Sequence, residues 1–177
     1  MVISFKKIRL KINYSFILIV SLSLLSESDN VLIILIFSSL HEIGHLILLI
    51  AFGARELELT LSYYGVALDY KNELSFYREL FFLLGGITVN AVFVLLNIYR
   101  DINLLLLMVN ILPVYPLDGG RALKLILDKA FGINPAYKVF GAISVFAVIL
   151  ILVSAIYFKN YSLLLIAAYI IAYSLNN

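Results

Sequence analysis

The 177-residue sequence contains no cysteine, and few of its side chains carry a charge. The absence of cysteine excludes disulfide bonds, cysteine-ligated zinc and thiol catalysis. Only 14% of the residues are Asp, Glu, Lys or Arg, whereas a soluble domain has about 25%. Hydrophobic residues make up 63% of the chain, and the mean hydropathy is +1.05. So few charges cannot cover the surface of a water-soluble protein, so the composition predicts an integral membrane protein. The net charge of +2 offers no basic surface for nucleic acid.

Apolar runs between charged residues predict an all-α polytopic membrane protein with six transmembrane helices in a single domain, residues 1–177. The first run ends at Glu27 and Asp29 without a small-residue cleavage site, so it is interpreted as a retained helix rather than a signal peptide. Pro113 and Pro116 break the fourth run, and a short charged helix is predicted at about 120–130. The predicted spans are Ile12–Ser26, Val31–Phe52, Tyr77–Ile98, a fourth from Asn103, Ala136–Phe158 and Tyr161–Leu175, with a tight turn at Arg100 and Asp101.

The polar stretch between the second and third spans has the alternation of a β-strand. From Glu56 to Tyr63, polar residues at even positions alternate with apolar residues at odd positions, which is typical of a strand with one apolar face. Gly65 stands at a plausible turn, and the alternation from Val66 to Tyr70 could form a return strand. These residues predict a short membrane-associated β-hairpin. It is either a cap on the helices or an edge strand alongside which an extended substrate pairs.

The second predicted span contains the motif His-Glu-Ile-Gly-His at His41–His45, with the only two histidines of the chain. Residues four apart lie on one face of a helix, so the two imidazoles can bind one Zn²⁺ at about 2.0–2.1 Å. Glu42 lies on the flank of that face and can take a proton from a water molecule, as in metalloproteases with this motif. The alternative is a chance occurrence. An uncompensated acid inside a membrane helix costs about 2.5–3.5 kcal/mol, which argues for a functional Glu42.

Asp118 is the predicted third zinc ligand. A tetrahedral catalytic zinc needs three protein ligands and one open position, and the chain has no third histidine. Apart from Glu79 near the start of the third span, Glu42 and Asp118 are the acids in the predicted membrane-embedded part. Asp118 follows Pro113 and Pro116 and precedes two glycines, which predicts an irregular turn because proline lacks an N–H donor and glycine adopts backbone angles closed to other residues. The alternative is that Asp118 only caps the following helix.

Asn90 and Asn110 are candidate substrate-binding residues, because an amide in a membrane span can hold a substrate backbone or support an oxyanion. The alternative is a hydrogen bond between helices, worth about 0.6 kcal/mol on average. Gly85 and Gly86 are interpreted as positions of close helix packing.

Three stretches together resemble the site-2 protease family of intramembrane zinc metalloproteases. They are His41–His45, the segment Asn110–Arg121 (Asn-Ile-Leu-Pro-Val-Tyr-Pro-Leu-Asp-Gly-Gly-Arg) and the looser match Leu83–Asn90, where Gly85-Gly86 replaces the Gly-Pro often seen in the family. The resemblance covers roughly residues 31–129 and implies regulated intramembrane proteolysis of single-span or membrane-associated substrates. The layout is similar to the bacterial sporulation-type branch. The sequence departs from that branch in having no C-terminal CBS domain, so nucleotide sensing and a sigma-factor substrate are not expected.

The sequence therefore predicts an intramembrane zinc metalloprotease with one Zn²⁺ per chain. Its predicted partners are a membrane-tethered protein substrate and the lipid bilayer, with regulatory membrane proteins as further candidates. The alternatives are a catalytically inactive membrane scaffold, a metal transporter and a structural subunit of a larger complex. An inactive relative would usually have lost a ligand or the base, and a transporter would need polar residues along a path across the bilayer.

The distribution of basic residues predicts that both termini lie in the cytoplasm, in a bacterial cytoplasmic membrane. With six spans and a cytoplasmic start, 11 of the 13 Lys and Arg residues fall inside, and only Arg100 and Lys159 fall outside. In this topology, the zinc lies between the membrane midplane and the cytoplasmic surface.

Overall fold

The structure is a computed structural model that describes residues 2–5, 8–25, 30–54, 57–62, 65–71, 74–157, 159, 164, 167–168 and 170–171. Its contacts group into two compact units, Met1–Leu107 and Met108–Asn177, and the single domain stays a prediction. The elements in chain order are β1 (Val2–Phe5), β2 (Ile8–Ile12), α1 (Tyr14–Leu25), α2 (Asn30–Ala51), β3 (Leu57–Ser62), β4 (Gly65–Asp69), α3 (Phe76–Leu95), α4 (Arg100–Ile111), α5 (Asp118–Phe131) and α6 (Ile133–Tyr157).

Three helices in the described part of the chain, α2, α3 and α6, are long and apolar enough to cross a membrane. They coincide with the second, third and fifth predicted spans. Helix α2 has 22 residues, so at 1.5 Å per residue it measures about 33 Å, close to the roughly 30 Å of a bilayer's hydrocarbon core. The structure thus confirms a mostly helical chain with three candidate membrane spans in its described part, and the number six stays a prediction.

The other predicted spans differ from the structure in extent. Helices α1 and α4 have 12 residues each, about 18 Å, which is less than the hydrocarbon core. The first span begins later than predicted because Ile12 belongs to β2. The predicted sixth span, Tyr161–Leu175, lies largely outside the described residues, although residues 164, 167–168 and 170–171 are helical.

The tight turn predicted at Arg100 and Asp101 is wrong, because both residues lie in the first turn of α4. The chain turns instead at residues 96–99, where Asn97 and Tyr99 have φ angles of 57° and 40°. Asparagine enters this left-handed region more readily than most residues. Asp101 suits a helix N-terminus, where the helix dipole favours a negative charge.

The predicted β-hairpin is confirmed, but it belongs to a larger sheet. Strands β3 and β4 are antiparallel, with Ser62 opposite Gly65, and Leu57 on the apolar face of β3 is buried. The sheet order is β1-β2-β3-β4, with β2 parallel to β3 and an ion pair between Lys11 and Glu58. Strand β3 therefore has a neighbour on each side. The prediction that β3 offers a free edge to a substrate is wrong, because among the described strands the edges of the sheet are β1 and β4.

Helices α2 and α3 approach each other closely in the first unit. A Cβ atom on Gly44 would lie 2.7 Å from the carbonyl oxygen of Gly85, and a Cβ on Gly85 would lie 2.9 Å from the carbonyl oxygen of Gly44. Side chains at either position would force the helices apart, since real Cβ atoms do not come so close. The prediction of close packing is confirmed for Gly85, and small residues at such contacts are usual in membrane helices.

The second unit contains α5, α6 and the irregular segment 112–117 that precedes α5. This segment confirms the break predicted from Pro113 and Pro116. The hydroxyl of Ser144 on α6 donates a hydrogen bond to the carbonyl oxygen of Pro113 at 3.1 Å. The core of the second unit contains Val114, Ala147, Ile151, Ala167 and Ile170. The hydrogen bond from Ser144 and the packing of Val114 in this core together fix the segment against α6.

Gly119 and Gly120 serve close packing rather than unusual backbone angles, which corrects the prediction. Both lie in the first turn of α5, and neither has a positive φ. A Cβ on Gly119 would overlap the carbonyl oxygen of Ile111, and one on Gly120 would overlap the carbonyl group of Val114. The two glycines therefore let the start of α5 lie directly against the segment before it.

Candidate metal centre

The two histidines of α2 lie side by side and buried, near the middle of the helix. His41 and His45 are 4% and 3% exposed, and their Nε2 atoms are 3.1 Å apart. Glu42 is half-buried beside them, and one ligand atom from each of the three residues lies within 4.8 Å of the others. The helical spacing thus brings together the three residues of the motif, as predicted.

The tautomer of His45 is fixed by the backbone of α3. Its Nδ1 lies 2.7 Å from the carbonyl oxygen of Phe82, which can only accept a hydrogen bond. Nδ1 of His45 is therefore the protonated nitrogen that donates. In a neutral imidazole the lone pair then lies on Nε2, the atom that faces His41.

The tautomer of His41 is fixed by two buried asparagines. Its Nδ1 lies 2.5 Å from Oδ1 of Asn90, and Nδ2 of Asn90 donates to Oδ1 of Asn103 at 3.0 Å. Since Oδ1 of Asn90 accepts, Nδ1 of His41 donates, and the lone pair of His41 also lies on Nε2. Both side-chain amides are 0% exposed.

These contacts fit a bound zinc ion. Two unprotonated nitrogens 3.1 Å apart repel each other, and a cation between them removes the repulsion. Two nitrogens that each bind a tetrahedral zinc at 2.0–2.1 Å are separated by about 3.3–3.4 Å, so the observed distance is close to the required one. Each histidine also donates its other ring N–H to an oxygen, as metal-bound histidines almost always do.

Gly86 on α3 leaves the space in which such an ion would lie. A Cβ atom at this position would contact Nε2 of both His41 and His45, because the two nitrogens are its nearest neighbours. The prediction treated Gly86 as a helix-packing residue. In the structure, only Gly85 has that role, whereas Gly86 faces the histidine pair.

Asp118 is buried at the first position of α5, in the second unit. Leu117 occupies the N-cap position, so Asp118 is not the capping residue that the alternative interpretation required. A carboxylate in the first helical turn still interacts favourably with the helix dipole. Its predicted role as the third zinc ligand stays a prediction.

The two predicted substrate-binding asparagines lie in different settings. Asn110 is half-buried in the last turn of α4, and its role stays a prediction. Asn90 is fully buried behind His41, with both ends of its amide engaged. Contact with a substrate would require this amide to leave both partners. The structure therefore favours a supporting role for Asn90, and substrate binding by Asn90 stays an untested prediction.

Sequence reasoning missed Asn103, Gly86 and the carbonyl group of Phe82. The carbonyl group leaves no trace in a sequence. Asn103 did offer a signal, because it is a further amide within the apolar segments, 13 residues after Asn90. The signal for Gly86 was its position directly after Gly85. Consecutive residues of a helix point in directions about 100° apart, so the two glycines were not expected to serve the same contact.

Comparisons with known proteins were made for sequence and for structure. A zinc metalloprotease of Methanocaldococcus jannaschii is 29% identical over an alignment that covers 87% of this chain and 52% of that protein. The site-2 protease from M. jannaschii has a solved structure that matches with a TM-score of 0.63 and 22% identity, over 96% of this chain and 91% of that one. No protein-family model matches the sequence.

The chain thus has the fold of a site-2 protease, and the resemblance inferred from its motifs is confirmed. The cluster of His41, Glu42 and His45 could hold a metal ion, and the long apolar helices indicate an integral membrane protein. The chain spans about half the length of the curated relative that it matches in sequence.

Proposed function

We propose that the protein is an intramembrane zinc metalloprotease that hydrolyses peptide bonds of membrane-spanning or membrane-associated proteins. One observation carries the proposal: Nε2 of His41 and Nε2 of His45 face each other at 3.1 Å beside Glu42, in the middle of a 22-residue apolar helix. An acid inside a membrane helix is costly, so Glu42 beside this histidine pair argues for a functional site.

Each residue of the site has a separate task in this proposal. His41, His45 and Asp118 would hold one zinc ion, which would supply Lewis acidity toward the scissile carbonyl and the attacking water. Glu42 accepts the proton of the attacking water and delivers it to the leaving amine. Asn90 and the Phe82 carbonyl hold the two imidazoles in the required tautomer. Asn110 is the remaining candidate for binding the substrate backbone.

The placement of buried polar groups favours a protease over a transporter. In the described part of the chain, the buried polar side chains are His41, His45, Asn90, Asn103 and Asp118. The first four form a single cluster in the first unit rather than a row across the membrane: hydrogen bonds link His41, Asn90 and Asn103, and Nε2 of His45 lies 3.1 Å from Nε2 of His41. A scaffold without activity would have no need of the base, which is present in Glu42.

The edge strand β4 takes the substrate-binding role predicted for β3. Strand β3 has a neighbour on each side, whereas β4 pairs with β3 alone among the described strands. An extended substrate that adds to a free edge exposes its peptide bonds, which a helical substrate would keep within its own hydrogen bonds. We therefore infer that the substrate pairs with β4.

The proposed topology has six transmembrane helices with both termini in the cytoplasm. The parallel pairing of β2, which precedes α1, with β3, which follows α2, supports one step of this topology. The pairing holds the basic segment at Arg9 and Lys11 at the same end of the helices as the polar hairpin. The basic residues of both segments then lie on one side, as the positive-inside rule requires.

Cysteine labelling tests the sidedness, because the chain has no native cysteine. A single cysteine at Lys124 should resist an impermeant thiol reagent in intact cells and react in inverted vesicles. A single cysteine at Lys159 should behave in the opposite way. The reverse pattern at both positions would overturn the topology.

Glu42→Gln tests the proposed reaction. The amide has nearly the same shape but cannot accept the proton, and loss of a general base lowers turnover by about 10²–10⁴-fold. The measurement is cleavage of epitope-tagged, membrane-tethered proteins co-expressed with the chain, with zinc per chain determined by elemental analysis. Glu79→Gln, in the first turn of α3, makes the same chemical change outside the cluster and should cleave normally. Full cleavage by Glu42→Gln would refute the proposed mechanism.

A further inference from the structure

We propose that Asn103 is a positioning residue of the metal centre and acts through Asn90 on the tautomer of His41. The inference rests on the proposed zinc site, and it adds a residue that lies in none of the recognised motifs. Asn103 touches neither histidine. Its effect passes along one chain of hydrogen bonds, in which every donor and acceptor is determined by the step before it.

The chain of hydrogen bonds starts at the turn before α4. Nδ2 of Asn103 donates to the carbonyl oxygens of Ile98 and Tyr99, at 3.0 and 3.3 Å. Carbonyl oxygens only accept, so the NH₂ group of Asn103 must face them and its Oδ1 must face away. The orientation of this amide therefore follows from the backbone of the turn.

The next step fixes the amide of Asn90. Oδ1 of Asn103 is an acceptor, so the group of Asn90 that lies 3.0 Å from it must be the NH₂ group. Oδ1 of Asn90 is thereby left for His41. Without Asn103, the amide of Asn90 could turn over and present its NH₂ group to His41, which would then carry its proton on Nε2.

Burial makes this dependence strong. Asn90 and Asn103 are both 0% exposed, so water is not at hand to replace a missing partner. A buried polar group without a partner is unfavourable, which keeps both amides in the paired orientation. The turn at which the hydrogen bonds start is itself held to α2. The ring of Tyr99 in this turn lies 5.5 Å from the ring of Phe37, which precedes His41 by one helical turn.

The two histidines differ in this respect. His45 donates to the backbone carbonyl of Phe82, which cannot turn over, whereas His41 donates to a side-chain amide whose orientation must be set. A change at Asn103 should therefore act on His41 and leave His45 as an internal reference within the same molecule.

The tautomers can be read directly by NMR of the full-length chain labelled with ¹⁵N-histidine. Only two histidines contribute signals, and protonated and unprotonated ring nitrogens resonate far apart. The spectra are recorded after a chelator has removed zinc, because bound zinc would by itself keep Nε2 unprotonated. Both histidines should then show Nδ1–H with an unprotonated Nε2. In Asn103→Leu, one histidine, assigned to His41, should show a protonated Nε2, while the other, His45, should keep Nδ1–H.

Zinc affinity provides the second measurement, by competition with a chelator of known affinity. Asn103→Leu should weaken zinc binding by about 10–100-fold, which is the usual effect of removing a partner of a metal-bound histidine. Asn103→Asp keeps an acceptor toward Asn90, so it should retain the tautomer and most of the zinc affinity. Its folded state should nevertheless be less stable, because the carboxylate faces two carbonyl oxygens.

The order of these variants separates positioning from a general structural role. If Asn103 served only the stability of the fold, the zinc affinity of each variant would follow its stability. Asn103→Asp would then bind zinc more weakly than Leu107→Ala, the packing control on the same helix. Unchanged tautomers in Asn103→Leu, or equal loss of zinc affinity in Asn103→Leu and Leu107→Ala, would overturn the proposal. Asn103→Ala makes the same comparison if leucine prevents folding. A native chain with the stated tautomers but no zinc binding would instead refute the proposed metal site.

Discussion

The α2–α3 helix pair and the four-stranded sheet both belong to the first unit, but they direct their polar groups in opposite ways. In the helix pair, His41 and His45 donate hydrogen bonds to Oδ1 of Asn90 and the carbonyl oxygen of Phe82, which hold the two rings in place. In the sheet, β4 has a neighbour on one side among the described strands, so alternate backbone groups point outward. Metal binding needs fixed atoms, whereas substrate binding needs a surface that accepts many sequences. Under the proposed function, the helix pair would therefore hold the metal and the sheet would bind the substrate.

The largest expected effect is that of Gly86→Ala, which tests the proposed metal site in the α2–α3 helix pair. The added methyl group would contact Nε2 of both His41 and His45 and compete with the zinc ion for them. We expect zinc affinity to fall by more than about 100-fold, beyond the loss caused by removing a supporting partner. Cleavage should be abolished.

The neighbouring substitution Gly85→Ala is the matched control for Gly86→Ala. Its methyl group would press on Gly44 and Leu48 rather than on the histidines. Overpacking of this kind costs about 1–3 kcal/mol of stability, and zinc should remain bound. Equal zinc content in the two variants, measured by elemental analysis and chelator competition, would show that Gly86 does not border the metal site.

Asp118→Ala has the next largest expected effect, and it asks whether the helix pair suffices to hold zinc. Two histidines leave a tetrahedral zinc short of its usual three protein ligands, so zinc content should drop well below one per chain and cleavage should be lost. Asp128→Ala removes another acid of α5, one that pairs with Lys124 at 3.0 Å, and should keep both. Full zinc occupancy with retained cleavage in Asp118→Ala would exclude Asp118 as a ligand.

Much of the helical framework could be predicted because its signals are local. Apolar runs gave the positions of α2, α3 and α6 to within a few residues, and the four-residue spacing of His41 and His45 predicted their convergence. The alternation after α2 predicted β3 and β4. Each of these patterns depends on residues close in sequence, where the period of a helix or strand fixes the outcome.

The features that were missed depend on contacts between distant segments. Strand β2 pairs in parallel with β3 across the whole α1–α2 segment, and no periodicity in the basic N-terminal residues indicates that partner. The role of Gly86 depends on the rotation of α3 against α2, and that of Asn103 on the turn at residues 96–99. These arrangements are decided by tertiary packing, which overrides local pattern.

The smallest expected effect is that of Leu68→Pro, which tests the proposed pairing of the substrate with the outer edge of β4. The carbonyl oxygen of Leu61 accepts from the backbone N–H of Asn13, so the backbone groups of Leu61 point away from β4. Along a strand these directions alternate, so Thr60 points toward β4 and pairs with Ala67. The backbone groups of Leu68, next to Ala67, therefore point outward, toward an added strand.

Proline at position 68 removes this outward N–H, and edge strands tolerate proline where the N–H faces outward. One hydrogen bond contributes about 0.5–1.5 kcal/mol, so cleavage should fall by roughly 2–12-fold while zinc stays bound. The matched control is Ala67→Pro, which removes an inward N–H from the β3–β4 ladder and should destabilise the sheet itself. The readouts are the cleavage rate, the zinc content and the thermal stability of both variants. Unchanged cleavage by Leu68→Pro would mean that the substrate does not pair with β4, and the sheet would then serve only as a cap on the helices.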